Sequence, residues 1–175
     1  MTPVPADTVG DFTLPDTEGT PTSLSPGSAA ATVVAFTCNH CPYALAWQER
    51  LNAVARDYAP RGVRLLFVNP NDAERYPRDS LDAMRERVER AELAAPYLHD
   101  ESQAVARDFG ARTTPDVFVV RPDGVLAYRG APDADHGDPA LRAGWLRAAL
   151  DDLLAGRPVG NPRTEPVGCS IKWRA

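Results

Sequence analysis

Residues 31–51, ATVVAFTCNHCPYALAWQERL, decide the fold. The stretch opens with a short apolar run rich in β-branched residues, which is typical of a buried central strand. Cys38 and Cys41 follow this run, and after Pro42 apolar residues recur at steps of three and four, as on one face of a helix. The sequence therefore predicts two thiols at the junction between a buried strand and an amphipathic helix.

A thiol at such a junction is expected to ionise readily. Backbone N–H groups at a helix N-terminus are unpaired and the helix dipole is positive there, so a thiolate is stabilised. In Cys-x-x-Cys sites the pKa of the nucleophilic thiol falls from about 8.5 to roughly 3.5–7.5. The dipole supplies only about 0.3–1 kcal/mol, so the second thiol, backbone N–H groups or His40 must supply the rest. His40 is either an imidazolium that favours the thiolate or an exposed residue at the helix start.

The order of the other elements predicts one mixed sheet with helices on both faces. Hairpin turns are predicted at residues 16–19 and 121–124, and a second buried strand at residues 63–68. Early strands separated by helices indicate right-handed parallel crossovers, while the late hairpin adds antiparallel strands. The predicted fold class is therefore α/β.

Three further helices are predicted from apolar spacing and capping patterns. The first covers about residues 81–91, and the charges of its RERVERAE segment (85–92) are interpreted as a solvated face. Asp100 and Gln103 predict a helix start of the capping-box type. The last helix is predicted from about residue 139 to residue 155.

Composition excludes several classes of function. The chain has 175 residues and a net charge of -5, which gives no general attraction for nucleic acid or an anionic membrane surface. Its three cysteines are too few for a disulfide-stapled secreted scaffold. The first residues, MTPVPADTVGDF, lack the features of a secretory leader, so a cytoplasmic location is expected. No cofactor is expected.

The C-terminal end carries the third cysteine. We expect residues 1–156 to form the folded domain and residues 157–175 to form an extended tail rich in Pro and Gly. The tail is expected to dock on the domain because burying Val167, Ile171 and Trp173 gains on the order of 1.5–3 kcal/mol each. Cys169 is then either a small buried hydrophobe or a third thiol near the other two.

Two stretches together resemble the thioredoxin superfamily. VVAFTCNHCPYALAWQERL resembles its active-site strand and helix, and TTPDVFVV (113–120) resembles its cis-proline loop. The resemblance implies a thioredoxin-like fold, with a central mixed β-sheet flanked by helices, an N-terminal β-hairpin extension and an extended C-terminal tail. It also implies a cis bond between Thr114 and Pro115, beside the cysteines.

Other motifs narrow the resemblance to one branch of that superfamily. DFTLPDTEG (11–19) and RPDGVLAYRG (121–130) are similar to the redoxin and peroxiredoxin-like branch. CNHCPY together with the terminal GCSIKW resembles a peroxiredoxin-like, AhpC/TSA-related group. This resemblance implies a thiol–disulfide oxidoreductase, with Cys38 as the attacking thiol and Cys41 as the resolving thiol. The implied partners are a protein or small-molecule disulfide and a dithiol reductant such as a thioredoxin system.

Departures from the family patterns limit the resemblance. Thr32 and Thr37 replace the buried aspartate and the tryptophan of thioredoxin, so the proton acceptor for Cys41 is not identified. Peroxiredoxins carry Pro and Thr seven and three residues before the peroxidatic cysteine. Neither residue stands at the matching positions, which are Val34 and Cys38 counted from Cys41, and Ala31 and Ala35 counted from Cys38. Only weak peroxidase activity is therefore expected.

Two alternatives to redox chemistry remain open. A zinc- or copper-binding module could use the Cys-x-x-Cys pair, although no second closely spaced ligand pair exists. The candidate further ligands are Cys169, His40, His99 and His136. A purely structural disulfide between Cys38 and Cys41 would stabilise little because the loop it closes is short. Redox chemistry explains the placement better, and no metal is expected.

Overall fold

The computed structural model describes residues 3–175 of the chain. Its strands are β1 (Thr13–Pro15), β2 (Pro21–Ser23), β3 (Ala31–Phe36), β4 (Val63–Asn69), β5 (Tyr97–His99), β6 (Thr113–Thr114), β7 (Asp116–Val120), β8 (Leu126–Gly130) and β9 (Cys169–Ser170). Its α-helices are α1 (Pro42–Tyr58), α2 (Leu81–Glu89), α3 (Ala104–Phe109) and α4 (Gly144–Leu154). Two short 3₁₀ turns cover Ala59–Arg61 and Pro77–Asp79. Within residues 3–175 no helix has the length and apolar character needed to span a membrane.

Five strands form the central sheet, in the order β5-β4-β3-β7-β8. β3 pairs parallel with β4 on one side and antiparallel with β7 on the other, so the sheet is mixed. β1 and β2 form a separate N-terminal hairpin. This arrangement confirms the predicted α/β class with a central mixed sheet flanked by helices.

The central strand β3 is buried on both faces, as its apolar sequence predicts. On one face Val33 packs in a core with Trp47 and Leu51 of α1. On the other face Phe36 meets the rings of two phenylalanines edge-on at about 5.7 Å, Phe109 and Phe118. Because β3 is fixed on both faces, the cysteines that follow it are held at a rigid point in the molecule.

The start of α3 differs from the predicted capping box. Asp100 does accept backbone N–H groups, from Ala106 at 2.8 Å and from Val105 at 3.4 Å. Gln103 does not reach back to complete the box, because it is the N-cap residue itself, with φ of 67°. Its amide instead donates to the carbonyl oxygens of Pro70 and Lys172, at 2.8 and 2.9 Å. Gln103 thus links the body of the molecule to the C-terminal tail.

The last helix begins at Gly144 rather than near residue 139. Ala143 has a left-handed backbone, with φ of 58°, and its N–H donates to Asp133 at 2.9 Å. Arg50 donates to carbonyl oxygens of the preceding loop, those of Asp135, His136 and Asp138. These side-chain hydrogen bonds hold residues 139–143 outside the helix, which apolar spacing cannot reveal.

The tail of residues 157–175 runs back across the body of the molecule. Ile171 is 4% exposed and packs in the core with residues of the central sheet. The expected burial of Val167 is wrong, because its side chain lies before the β9 strand and is 43% exposed. The Trp173 ring lies under the guanidinium of Arg107, at 4.5 Å from carbon to centroid. The last strand, β9, pairs antiparallel with β6, and this pairing carries Cys169 to the cysteine pair.

Candidate active site

Cys38 and Cys41 lie together at the end of β3, each with only 1% of its surface exposed. Thr114 touches both: its hydroxyl lies 3.4 Å from the sulfur of Cys38, and its carbonyl oxygen lies 3.2 Å from that of Cys41. The Thr114–Pro115 bond is cis, as the resemblance implied. The structure therefore brings Cys38, Cys41, Thr114, Pro115 and Cys169 to one place.

The thiol of Cys41 donates to the carbonyl oxygen of Thr114, and Cys41 is the member of the pair whose pKa is lowered. Cys41 packs in one cluster with Cys38, Ala44 and Cys169. Cys41 is also the N-cap of the 17-residue helix α1. The hydrogen bond from the thiol of Cys38 comes first among the causes that lower the pKa of Cys41 to about 4, although burial opposes the shift.

The pKa of Cys38 shifts upward, in the direction opposite to that of Cys41. Its hydrogen bond to Cys41, its burial and the negative charge of Asp79 all raise the pKa of Cys38 above its ordinary value. The hydroxyl of Thr114 and the backbone N–H of His40 act in the opposite direction but do not outweigh them. The expectation from the sequence that Cys38 carries the lowered pKa stays a prediction, because the two thiols share a proton and titrate as a pair.

Asp79, from the 3₁₀ turn Pro77–Asp79, is a fully buried carboxylate beside the pair. It accepts hydrogen bonds from the Asn39 backbone at 2.7 Å and from the side-chain amides of Asn69 and Asn71 at 3.2 and 2.9 Å. Sequence reasoning missed it because it follows a polar loop and belongs to no motif. It supplies the buried carboxylate that residue 32 does not provide, although it lies beside Cys38 rather than behind Cys41.

The imidazole of His40 lies against this carboxylate. Its Nδ1 atom is 2.8 Å from Asp79, but the ring is not oriented to form a regular hydrogen bond. The ring is stacked on Tyr76, with centroids 6.3 Å apart. The group of His40 that shifts the pKa of Cys38 is its backbone N–H rather than its ring. A ring nitrogen of His40 also lies within 4.8 Å of the Cys38 sulfur, and the predicted imidazolium–thiolate pairing stays a prediction.

A buried polar network holds the backbone between the two cysteines. Arg87 donates to the carbonyl of Cys38 at 3.2 Å and to the side chain of Asn39 at 3.3 Å. Tyr97 donates its hydroxyl to the same Asn39 oxygen at 2.7 Å. The expectation that the charges of residues 85–92 form a solvated face is thus wrong for Arg87, which is 7% exposed. Its burial orients the dithiol loop.

One group of side chains in residues 3–175 has donor atoms close enough to hold a metal ion. These are Cys38, His40 and Asp79, whose ligand atoms lie within 4.8 Å of one another. A thiolate, an imidazole and a carboxylate are a donor set that suits zinc. Asp79 already accepts three protein hydrogen bonds, which a metal would have to disturb. The other proposed ligands, Cys169, His99 and His136, do not belong to this group.

Replacing Asp79 by asparagine is expected to lower the pKa of Cys38, since the substitution removes the nearby negative charge. The pKa would be measured from alkylation rate against pH in a Cys41→Ser background, so that only one thiol of the pair titrates. Asp82→Asn, which changes an exposed carboxylate on α2, is the matched control. An unchanged or higher pKa in Asp79→Asn would contradict this reading of the site.

A mixed sheet flanked by helices, with two cysteines between the central strand and its helix, defines a thioredoxin-like redox protein. The family model of the AhpC/TSA family matches residues 5–129, and the chain belongs to this family. Membership implies thiol-based oxidoreductase or peroxidase activity. The recognition made from the sequence is thereby confirmed at the level of the family.

The chain is similar over its whole length to two solved structures. One is an uncharacterized conserved protein from Geobacillus kaustophilus, 39% identical, with 99% of this chain and 94% of that chain covered and a TM-score of 0.92. The other is a hypothetical protein from Sinorhizobium meliloti 1021, 35% identical, with 100% and 97% covered and a TM-score of 0.92.

A more distant structure shares the fold alone. It is the peroxidoxin BcpB from Mycobacterium tuberculosis, 21% identical, with 87% of this chain and 95% of that chain covered and a TM-score of 0.65. A comparison with curated proteins found no match.

Proposed function

We propose that this protein is a thiol–disulfide oxidoreductase in which Cys38 and Cys41 form the redox pair. The observation that carries the proposal is the packing of two buried thiols at the end of β3, both in contact with Thr114. The thiolate, not the thiol, is the nucleophile in disulfide exchange. A thiolate stabilised at neutral pH beside a second thiol is the arrangement that this chemistry needs.

The reaction begins with attack by the Cys41 thiolate on one sulfur of a substrate disulfide. A mixed disulfide forms, and the first substrate thiolate leaves and takes up the proton of Cys38. The Cys38 thiolate then attacks the sulfur of Cys41, which closes the Cys38–Cys41 disulfide and releases the second substrate thiolate. The substrate is reduced by two electrons and the protein is oxidised by two. We assign the first attack to Cys41 because its pKa is the lowered one of the pair, whereas the resemblance implies Cys38 in that role.

A weak thiol peroxidase activity is a second candidate, because the AhpC/TSA family match covers residues 5–129. The Cys41 thiolate would attack one oxygen of a hydroperoxide to form a sulfenic acid and an alcohol. Cys38 would then displace water from that sulfenic acid to form the same disulfide. Neither Pro nor Thr stands at the matching positions, Val34 and Cys38, so slow peroxide reduction is proposed.

The chemistry can be tested by oxidising the fully reduced protein with a small disulfide, bis(2-hydroxyethyl) disulfide, or with hydrogen peroxide. We expect one intramolecular disulfide, mapped by mass spectrometry to Cys38 and Cys41, and faster oxidation by the disulfide than by the peroxide. A dithiol protein such as thioredoxin is expected to restore the thiols. Faster reaction with peroxide would make the second candidate the main activity, and no oxidation by either reagent would contradict both.

A further inference from the structure

The strand edge beside the dithiol is already occupied by the protein's own tail. β6 pairs with β9 and, in the part of the chain that the structure describes, with no other strand. Thr114 lies opposite Cys169 in this ladder, and the N–H of Ile171 donates to the carbonyl of Arg112 at 3.1 Å. An extended strand edge next to reactive thiols is a surface to which a polypeptide substrate could add a strand. Here that surface is filled from within the chain.

The tail approaches this edge as closely as a polypeptide can. A Cβ atom added at Gly168 would lie 2.3 Å from the carbonyl oxygen of Thr114 and 2.7 Å from its carbonyl carbon. Both atoms belong to the backbone, so neither can swing aside, and glycine is the residue that allows the approach. The next residue, Cys169, packs against Cys38 and Cys41. The tail therefore places a cysteine where the cysteine of a bound chain would react.

Contacts beyond the strand hold the tail in place. Ile171 is buried in the core, and Trp173 packs against Arg107. The backbone N–H of Lys172 donates to Asn71 at 2.9 Å, and its carbonyl accepts from the amide of Gln103 at 2.9 Å. These anchors lie outside the cysteine cluster, so the tail can be loosened without substituting a cysteine.

We propose that residues Gly168–Trp173 occupy a polypeptide-binding edge beside the dithiol, so that the closed protein reacts with low-molecular-mass disulfides and excludes disulfides carried by extended chains. The inference rests on the proposed function and names its substrate class. The excluded substrates are those that would need the backbone of Thr114 for strand pairing. Two features set the selectivity for small disulfides. Both reacting sulfurs are buried, and the adjoining edge of β6 is occupied by β9.

The test compares two disulfides in the full-length protein. The small one is bis(2-hydroxyethyl) disulfide, and the large one is the symmetric disulfide of a cysteine peptide long enough to form a strand. Gly168→Ala would displace the strand directly, and Trp173→Ala would loosen an anchor remote from the thiols. Gly160→Ala is the matched control, because its Cβ would meet Asp152 at an ordinary 3.6 Å. The alkylation rate of Cys169 reports tail release independently.

The wild type and Gly160→Ala are expected to react far more slowly with the peptide disulfide than with the small one. In Gly168→Ala and Trp173→Ala, faster alkylation of Cys169 should accompany a rise of about tenfold or more in the ratio of peptide to small-disulfide rates. The small disulfide could react normally while the ratio of peptide to small-disulfide rates, or the alkylation rate of Cys169, stays unchanged in both variants. That result would overturn this inference and leave the proposed function standing. Failure of both disulfides in every variant would overturn the proposed function, and the inference with it.

Discussion

Serine in place of Cys41 is expected to slow the reaction of the reduced protein with bis(2-hydroxyethyl) disulfide by about 1,000-fold or more, the scale seen when a nucleophile is removed. The hydrogen bond between the two thiols lowers the pKa of Cys41 and raises that of Cys38, and the charge of Asp79 raises the pKa of Cys38 further. A serine hydroxyl at residue 41 does not ionise near neutral pH, so the remaining Cys38 would react through a thiol that holds its proton. The measurement is stopped-flow oxidation, with loss of thiols followed by mass spectrometry.

Cys38→Ser is the matched variant. Its hydroxyl can still donate a hydrogen bond to Cys41, so the thiolate should survive and the first attack should proceed. Without a second thiol to release it, the mixed disulfide between Cys41 and the hydroxyethyl thiol should persist and be detected by its added mass. The opposite pattern, with a stable adduct on Cys38 in Cys41→Ser and none in Cys38→Ser, would restore the roles implied by the resemblance.

The parts of the fold that depend on local pattern could be read from the sequence. β3 and the start of α1 at Pro42 fall where the β-branched run and the helical spacing placed them. Helix boundaries set by side-chain hydrogen bonds over long distances in sequence could not be read in this way. Gln103 at the start of α3 and Ala143 before α4 are held by groups from distant segments, which no local pattern contains.

The sequence was enough to predict which residues form the candidate site, but not the pKa values of its thiols. Cys38, Cys41, Thr114 and Pro115 come from two motifs, and the structure brings them together. Asp79 was missed because, in the sequence, a carboxylate of a polar loop that becomes buried cannot be told from one that stays solvated. The pKa of each thiol depends on which sulfur receives the donors. Proton sharing within the buried pair decides this, so it follows from packing and not from spacing.

The reduced protein is expected to lose stability relative to its oxidised form as the pH falls from 8 towards 4. The pKa of Cys41 is about 4 in the folded protein against an ordinary value of 9.0, so between these values the folded state binds fewer protons than the unfolded state. The free energy of unfolding therefore rises with pH across this window, and the gain is lost as the pH falls through the folded pKa. The raised pKa of Cys38 acts only above its ordinary value of 9.0 and leaves this window unaffected.

Urea unfolding of both redox forms between pH 8 and pH 4.5 would measure the effect, with the oxidised protein as the control because its Cys41 cannot ionise. Asp116, whose pKa burial raises to about 7, gives an opposite slope, but it does so in both forms and cancels in the difference. A thiolate stabilised to this degree should give a difference of at least about 3 kcal/mol between the two ends of the range. Parallel curves for the two forms would show that Cys41 is not the resting thiolate. Reduced Cys41→Ser should follow the oxidised curve, because it lacks the group whose ionisation the folded state favours.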